Sequence, residues 1–155
     1  IYISAKMFSP PEVGYAFTPT ATGPQTVDIN RNFEDIRIIG SNTITSVNTN
    51  EHVGREQHGF MFGNVTSEGQ HSMGFSSNSN SVNGHASGSR DGKGFHLLYT
   101  DNNGNIEAKE TATVTNKTVG NLTLDWSSVA KTSSTSVGST MFVYIGYPES
   151  TLQTG

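Results

Sequence analysis

The sequence contains no cysteine and few charged residues for its length. Of its 155 residues, 14% are charged and 32% are hydrophobic, and both fractions lie below the averages of globular proteins. The absence of cysteine excludes disulfides and thiolate sites. The formal net charge of -4 argues against nonspecific binding to nucleic acid, because that binding depends on basic residues that displace counterions from phosphates.

Long hydrophobic runs are missing as well. No segment reaches the roughly 20 apolar residues that a membrane-spanning helix needs, and the first residues lack the basic-then-apolar pattern of a signal peptide. We therefore expect no membrane insertion. No apolar stripe of helical period persists for three turns either, which argues against amphipathic helices.

In place of charged and hydrophobic residues, the sequence is rich in glycine, serine, threonine and asparagine. It also contains β-branched and aromatic residues, which favour sheets. The length is close to the usual size of one domain. The sequence therefore predicts an all-β protein: one antiparallel, jelly-roll-like β-sandwich domain over residues 1–155. We expect its N-terminal segment, residues 1–21, to be available for assembly.

The clearest pattern spans residues 111–147. Met141 to Tyr147 carries large residues on both faces, which predicts a central strand covered on both sides. Before it, apolar residues alternate with polar ones on either side of a polar tip. That alternation predicts a hairpin with one buried face, formed by Ala112, Val114, Leu122, Leu124 and Trp126.

Further strands are predicted earlier in the chain. The segment Gly59 to Gly63 suits a strand that enters and leaves by tight turns at its glycines, and in the segment 71–76 we expect Met73 and Phe75 to point inward. Residues 76–94, rich in Ser, Asn and Gly, fit either a surface loop or a weakly patterned edge strand. The remaining predicted strands cover residues 1–8, 13–20, 25–29, 33–39, 44–47, 95–100 and 106–114, and the last two form a hairpin through a turn at residues 101–105. Residues 48–58 are predicted to form an exposed loop.

No catalytic, cofactor or metal site is predicted. The segment Gly84 to Gly88 has the wrong spacing for a nucleophile elbow. The carboxylates Glu34 with Asp35, and Glu107 with Glu110, fit solvated strand faces, and only their separation in space decides whether they form a catalytic pair.

The histidines are too scattered to present two imidazoles to one metal, so we expect them in loops and on strand surfaces. They are His52, His58, His71, His85 and His96.

Five segments together resemble a family of small virion-associated proteins of tailed bacteriophages. In that family a Gly-x-Gln turn, an apolar strand, a Gly-Phe-x-x-Gly segment, a Leu-Thr-Leu-x-Trp strand and a final apolar strand follow one another. The matching segments are residues 22–27, 33–40, 59–63, 122–126 and 142–147. The chain departs from the family pattern at residues 30–33.

The resemblance implies a non-enzymatic structural protein on the virion surface, as a capsid decoration protein or a tail-fibre component. It implies no catalytic residue, and its partners are expected to be itself, as a homotrimer, and other virion proteins. The alternative is a carbohydrate-binding or host-receptor-binding module, whose exposed aromatic rings stack on sugars.

We expect assembly through the strands of the first half and the segment Ile1 to Phe8, which has few charges to protect a strand edge. The alternative is that this segment completes the sheet of its own domain.

Overall fold

The computed structural model describes residues 9–41, 57–78, 85–100, 103, 105–129 and 140–149. In these ranges the chain forms strands and no helix, so no described helix is long and apolar enough to cross a membrane. The prediction of an all-β protein is confirmed. The strands are β1 Glu12–Phe17, β2 Gly23–Val27, β3 Phe33–Ser41, β4 Gln57–Val65, β5 Gln70–Asn78, β6 His85–Asp91, β7 Phe95–Thr100, β8 Ile106–Thr118, β9 Asn121–Ser128 and β10 Met141–Pro148.

The strands form two antiparallel sheets that pack face to face, so the predicted β-sandwich is confirmed. The larger sheet has the order β1-β10-β3-β4-β5-β6, in which β3 to β6 follow one another as neighbours. The smaller sheet has the order β2-β9-β8-β7. Both predicted hairpins, β7–β8 and β8–β9, are present as antiparallel pairs.

Three aromatic side chains meet at the centre of the sandwich. The ring centroid of Trp126 lies 4.9 Å from that of Phe95 and 6.2 Å from that of Phe142. The indole nitrogen of Trp126 donates a hydrogen bond of 2.9 Å to Oε1 of Gln25, so its one polar atom is satisfied. Trp126 therefore lies in the core beside β10, as the alternating hairpin pattern predicts.

The prediction that β10 is covered on both sides is wrong for one of its faces. Phe142 and Tyr144 are buried between the sheets, but Val143 and Ile145 are only half-buried and Tyr147 is 41% exposed. Successive side chains of a strand point to opposite faces, and the smaller sheet covers one face alone. The apolar residues on the other face of β10 therefore point out of the sandwich.

The predicted orientation of β5 is also wrong. Met73 and Phe75 point outward and are 47% and 37% exposed, whereas Ser72, Gly74 and Ser76 point inward and are buried. The reason is the close approach of β7 to the larger sheet, which leaves space only for small inward side chains.

Two buried glycines make this approach possible. A Cβ atom added to Gly74 would overlap the carbonyl oxygen of His96, and one added to Gly63 would overlap the carbonyl oxygen of Gly94. Gly63 and Gly59 lie within β4, so the prediction of tight turns at these glycines is wrong. Gly63 allows close packing between the sheets instead, as Gly74 does on β5.

The Ser-, Asn- and Gly-rich region forms an edge strand over His85–Asp91, because β6 pairs with β5 and ends the larger sheet. Of the two interpretations of residues 76–94, the edge strand is thus confirmed for these seven residues. Residues 79–84 lie outside the described ranges. So do the predicted N-terminal strand, the short strand expected near residue 45 and most of the loop predicted over residues 48–58.

Candidate functional site

The outer faces of the two sheets differ sharply in polarity. The outer face of the smaller sheet carries residues such as Thr26, Thr123 and Asp125, and the hydroxyls of Thr26 and Thr123 lie 3.3 Å apart in a hydrogen bond. The outer face of the larger sheet carries eight of the ten large hydrophobic side chains that are exposed in the described chain. We call this surface the apolar face, and its exposed members are Val13, Tyr15, Ile39, Phe60, Phe62, Met73, Phe75 and Tyr147.

The strand register aligns these side chains into a continuous row. Tyr15 is opposite Val143, which is opposite Ile39, and Ile39 in turn is opposite Phe62 and then Met73. Residues directly opposite on one face have Cβ atoms about 5 Å apart and pack against one another. The row therefore crosses five of the six strands without a polar interruption.

An aromatic cluster adjoins this row. The rings of Phe60 and Phe75 are stacked with centroids 5.1 Å apart, and Phe60 meets Phe62 edge-on at 5.7 Å. Aromatic side chains present about 150–250 Å² each. The eight exposed members of the apolar face are each roughly half exposed, so together they leave on the order of 700 Å² of apolar surface. The largest apolar patch of a typical monomer is about 300–600 Å².

A groove of about 940 Å³ runs along the middle of the apolar face. Its lining includes the apolar residues Phe62 and Met73 and the polar residues Arg37, His71 and Arg90. The guanidinium groups of Arg37 and Arg90 form no ion pair with any residue that the structure describes. The groove thus combines aromatic surface with unpaired positive charge in a chain of net negative charge.

Arg37 is half-buried near the centre of this groove. Its guanidinium lies over the ring of Tyr147, 5.8 Å from the centroid, and its Nη1 atom is buried without a hydrogen-bond partner. Asp35 lies two residues earlier on the same face of β3, opposite Tyr147, and forms no ion pair with any described residue either. Asp35 and Arg37 are therefore an acid and a base that lie two residues apart on the apolar face, each without an ion-pair partner among the described residues.

A second cluster lies between β6 and β7. The Oγ atom of Ser89 is 2.5 Å from Nε2 of His96, and Nδ1 of His96 is 3.7 Å from Oδ2 of Asp91. Ser89 and Asp91 alternate along the edge strand β6 and face His96 on β7. The arrangement combines the three residue types of a serine-hydrolase triad.

The surroundings of this cluster favour a structural role. His96 is only 3% exposed, and of the three residues only Asp91 lines the groove on the apolar face. Burial lowers the pKa of His96 below its ordinary value of 6.5, and Lys109 and Lys93 act in the same direction, while Asp91 opposes them. A buried, neutral imidazole that joins two strands holds the edge strand in place.

The structure corrects one histidine prediction and supports another. His96 is buried between the sheets and does not lie on a strand surface, whereas His71 is exposed on β5 as predicted. The structure does not describe His52, nor the side chains of His58 and His85. Among the described residues, no three His, Cys, Asp or Glu side chains come together as metal ligands.

The prediction that the candidate carboxylates lie on solvated strand faces is wrong for Glu110 and is confirmed for Glu34. Glu110 is buried and accepts hydrogen bonds from the hydroxyls of Thr18, at 3.3 Å, and Thr140, at 3.1 Å. Glu34 is exposed on β3, in the other sheet. The side chain of Glu107 is not described.

The sequence did contain a signal for the apolar face. In residues 72–76, glycine or serine alternates with phenylalanine or methionine, and in residues 59–63 the two phenylalanines share one face of the strand and the two glycines share the other with Met61. Alternation by size places one set inward and the other outward, but it does not say which set is inward. Burial of apolar side chains is the usual outcome, so the sequence predicts Met73 and Phe75 inside.

Comparison with known proteins adds no relative. The chain matches no protein-family model, no curated protein and no solved structure.

Proposed function

We propose that this chain is a non-enzymatic structural protein displayed on the surface of a bacteriophage virion, as a capsid decoration protein or a tail-fibre component. The observation that supports this proposal is the apolar face, about 700 Å² of exposed apolar side chains in a continuous array. A surface of this size and composition is typical of a face that is covered by protein in the assembled state. The resemblance to virion-associated proteins indicates the kind of assembly.

Co-sedimentation with phage particles tests the proposal. The purified chain should sediment with DNA-emptied capsids or with isolated tails of the source phage. The substitution Phe62→Asp should weaken this binding at least about tenfold, because it places a charge in the middle of a surface that becomes desolvated.

The matched control is Val119→Asp. Val119 is 57% exposed but lies in the turn between β8 and β9, away from the apolar face, so the control should bind as wild type does. Failure of the wild-type chain to sediment with either particle would contradict the virion proposal.

The groove supports a second candidate, a carbohydrate-binding or host-receptor-binding module. Phe62 offers an aromatic surface for stacking on a sugar ring, and Arg37, Arg90 and His71 offer side-chain nitrogens that bind hydroxyls or carboxylates. A glycan array probed with the purified chain tests this candidate. Specific binding that is lost in both Phe62→Ala and Arg37→Ala would favour it.

A further inference from the structure

We infer that the apolar face is covered by other copies of this chain, in a closed homo-oligomer, with Arg37 of one copy paired to Asp35 of its neighbour. The inference rests on the proposed structural role and adds to it the identity of the partner and the charged contact that sets the register.

The size of the face fits a stable interface. A standard protein–protein interface buries about 800 Å² on each partner. The exposed apolar side chains alone provide on the order of 700 Å², and polar residues such as Arg90 and His71 flank the apolar row. An apolar centre with polar flanks is the usual composition of a protein interface.

The polarity of the whole sandwich favours closed symmetry. One outer face is apolar and the other is rich in threonine, serine and charged residues. If each copy turns its apolar face toward a common axis, all apolar faces are buried and all polar faces meet water. A single patch then serves every copy, which is the advantage of closed symmetry.

The charges on the face fit a second copy better than an unrelated partner. Asp35 and Arg37 are adjacent on the same face of β3, and neither has an ion-pair partner in the described chain. Because every copy carries both groups, each copy can give its Arg37 to one neighbour and its Asp35 to another. Arginine with carboxylate is the pair that gives a bidentate, geometrically specific contact.

The first measurement is the mass of the purified wild-type chain in solution, by light scattering at tens of micromolar. The mass of one chain is 16.6 kDa. We expect a stable multiple of this value, and three chains would match the trimer predicted in the sequence analysis. A mass of one chain overturns the inference.

Charge variants test the contact itself. Arg37→Asp and Asp35→Arg each create like charges across the interface, so each should raise the midpoint concentration of dissociation by a factor on the order of 30 or more. The double variant Asp35→Arg with Arg37→Asp restores opposite charges and should recover most of the assembly.

The control is Asp125→Arg, on the polar outer face, which should assemble as wild type does. Circular dichroism of each variant establishes that it is folded. If the double variant is as weak as the single variants, the Arg37–Asp35 contact between copies is wrong.

The outcome separates this inference from the virion proposal. A chain that assembles alone but does not bind capsids or tails supports the inference and contradicts the virion role. A monomer that binds particles or a glycan contradicts the inference, because a partner of another kind then covers the apolar face. Binding to particles supports the virion role.

Discussion

At the scale of single residues, the cluster of Ser89, His96 and Asp91 shows how a polar group is accommodated between two sheets. The imidazole of His96 contacts the Ser89 hydroxyl at one nitrogen and lies near the Asp91 carboxylate at the other. Its burial disfavours the charged form, so its pKa is lowered. The cluster therefore links the edge strand β6 to β7 most strongly while His96 is neutral.

This pKa shift predicts a pH dependence of stability. The pKa of His96 in the folded chain is below its ordinary value of 6.5. The unfolded chain therefore binds more protons than the folded chain as the pH falls through 6.5. The free energy of unfolding should therefore be lower at pH 5 than at pH 7.5, and His96→Gln should remove part of that difference. Urea unfolding at both pH values measures it.

The control for this experiment is His71→Gln, because the His71 side chain is exposed on β5. It should retain the wild-type difference between the two pH values. If His96→Gln shows the full wild-type difference, burial of His96 does not contribute to the pH dependence.

At the scale of elements, β7 determines how the larger sheet is oriented. All six of its residues, from Phe95 to Thr100, are buried, and it lies against both β4 and β5 of the opposite sheet. This close contact requires a glycine where β4 and β5 meet the backbone near β7, at Gly63 and Gly74. Every inward residue of β5 that the structure describes as buried is glycine or serine, so Met73 and Phe75 of that strand point outward.

The close contact predicts a strong effect of one methyl group. Gly63→Ala should lower the free energy of unfolding by about 3 kcal/mol, because the added Cβ would overlap the backbone carbonyl of Gly94, which cannot move independently of β7. Gly92→Ala is the matched control, since a Cβ at that exposed position meets no atom within 4 Å. Chemical denaturation of both variants measures the difference. Equal stabilities would show that β7 does not pack as closely as described.

At the scale of the whole molecule, the two outer faces give the sandwich opposite surfaces. A free monomer would expose the apolar face to water, and the hydrophobic effect would favour any arrangement that covers it. In a homo-oligomer, burial of this face would couple folding to association. The stability of the chain would then depend on its concentration.

Such coupling predicts that the thermal midpoint of wild-type unfolding rises with chain concentration. Differential scanning calorimetry from about 5 to 500 μM should show an increase of several degrees, by mass action. Phe62→Asp should unfold at a midpoint that does not change with concentration, because its apolar face is no longer covered. A wild-type midpoint that is independent of concentration would contradict the coupling.

The sequence by itself determined the fold class and the hairpin of the core. Alternation of apolar and polar residues at Leu122, Leu124 and Trp126 was sufficient, because one face of that hairpin is buried and the other is polar. The strand over Phe95 to Thr100 was likewise correct at both ends. In these segments local pattern and tertiary environment agree.

Only the tertiary structure decided which side of the larger sheet is the inside. At Met73 and Phe75, the pattern alternates between small and large residues, and which set points inward depends on how closely β7 approaches from a distant part of the chain. The same long-range packing brings His96 to Ser89 and Asp91 and leaves Arg37 and Asp35 unpaired on the apolar face. A period of two defines two faces of a strand, but contacts between sheets decide which of them meets the core.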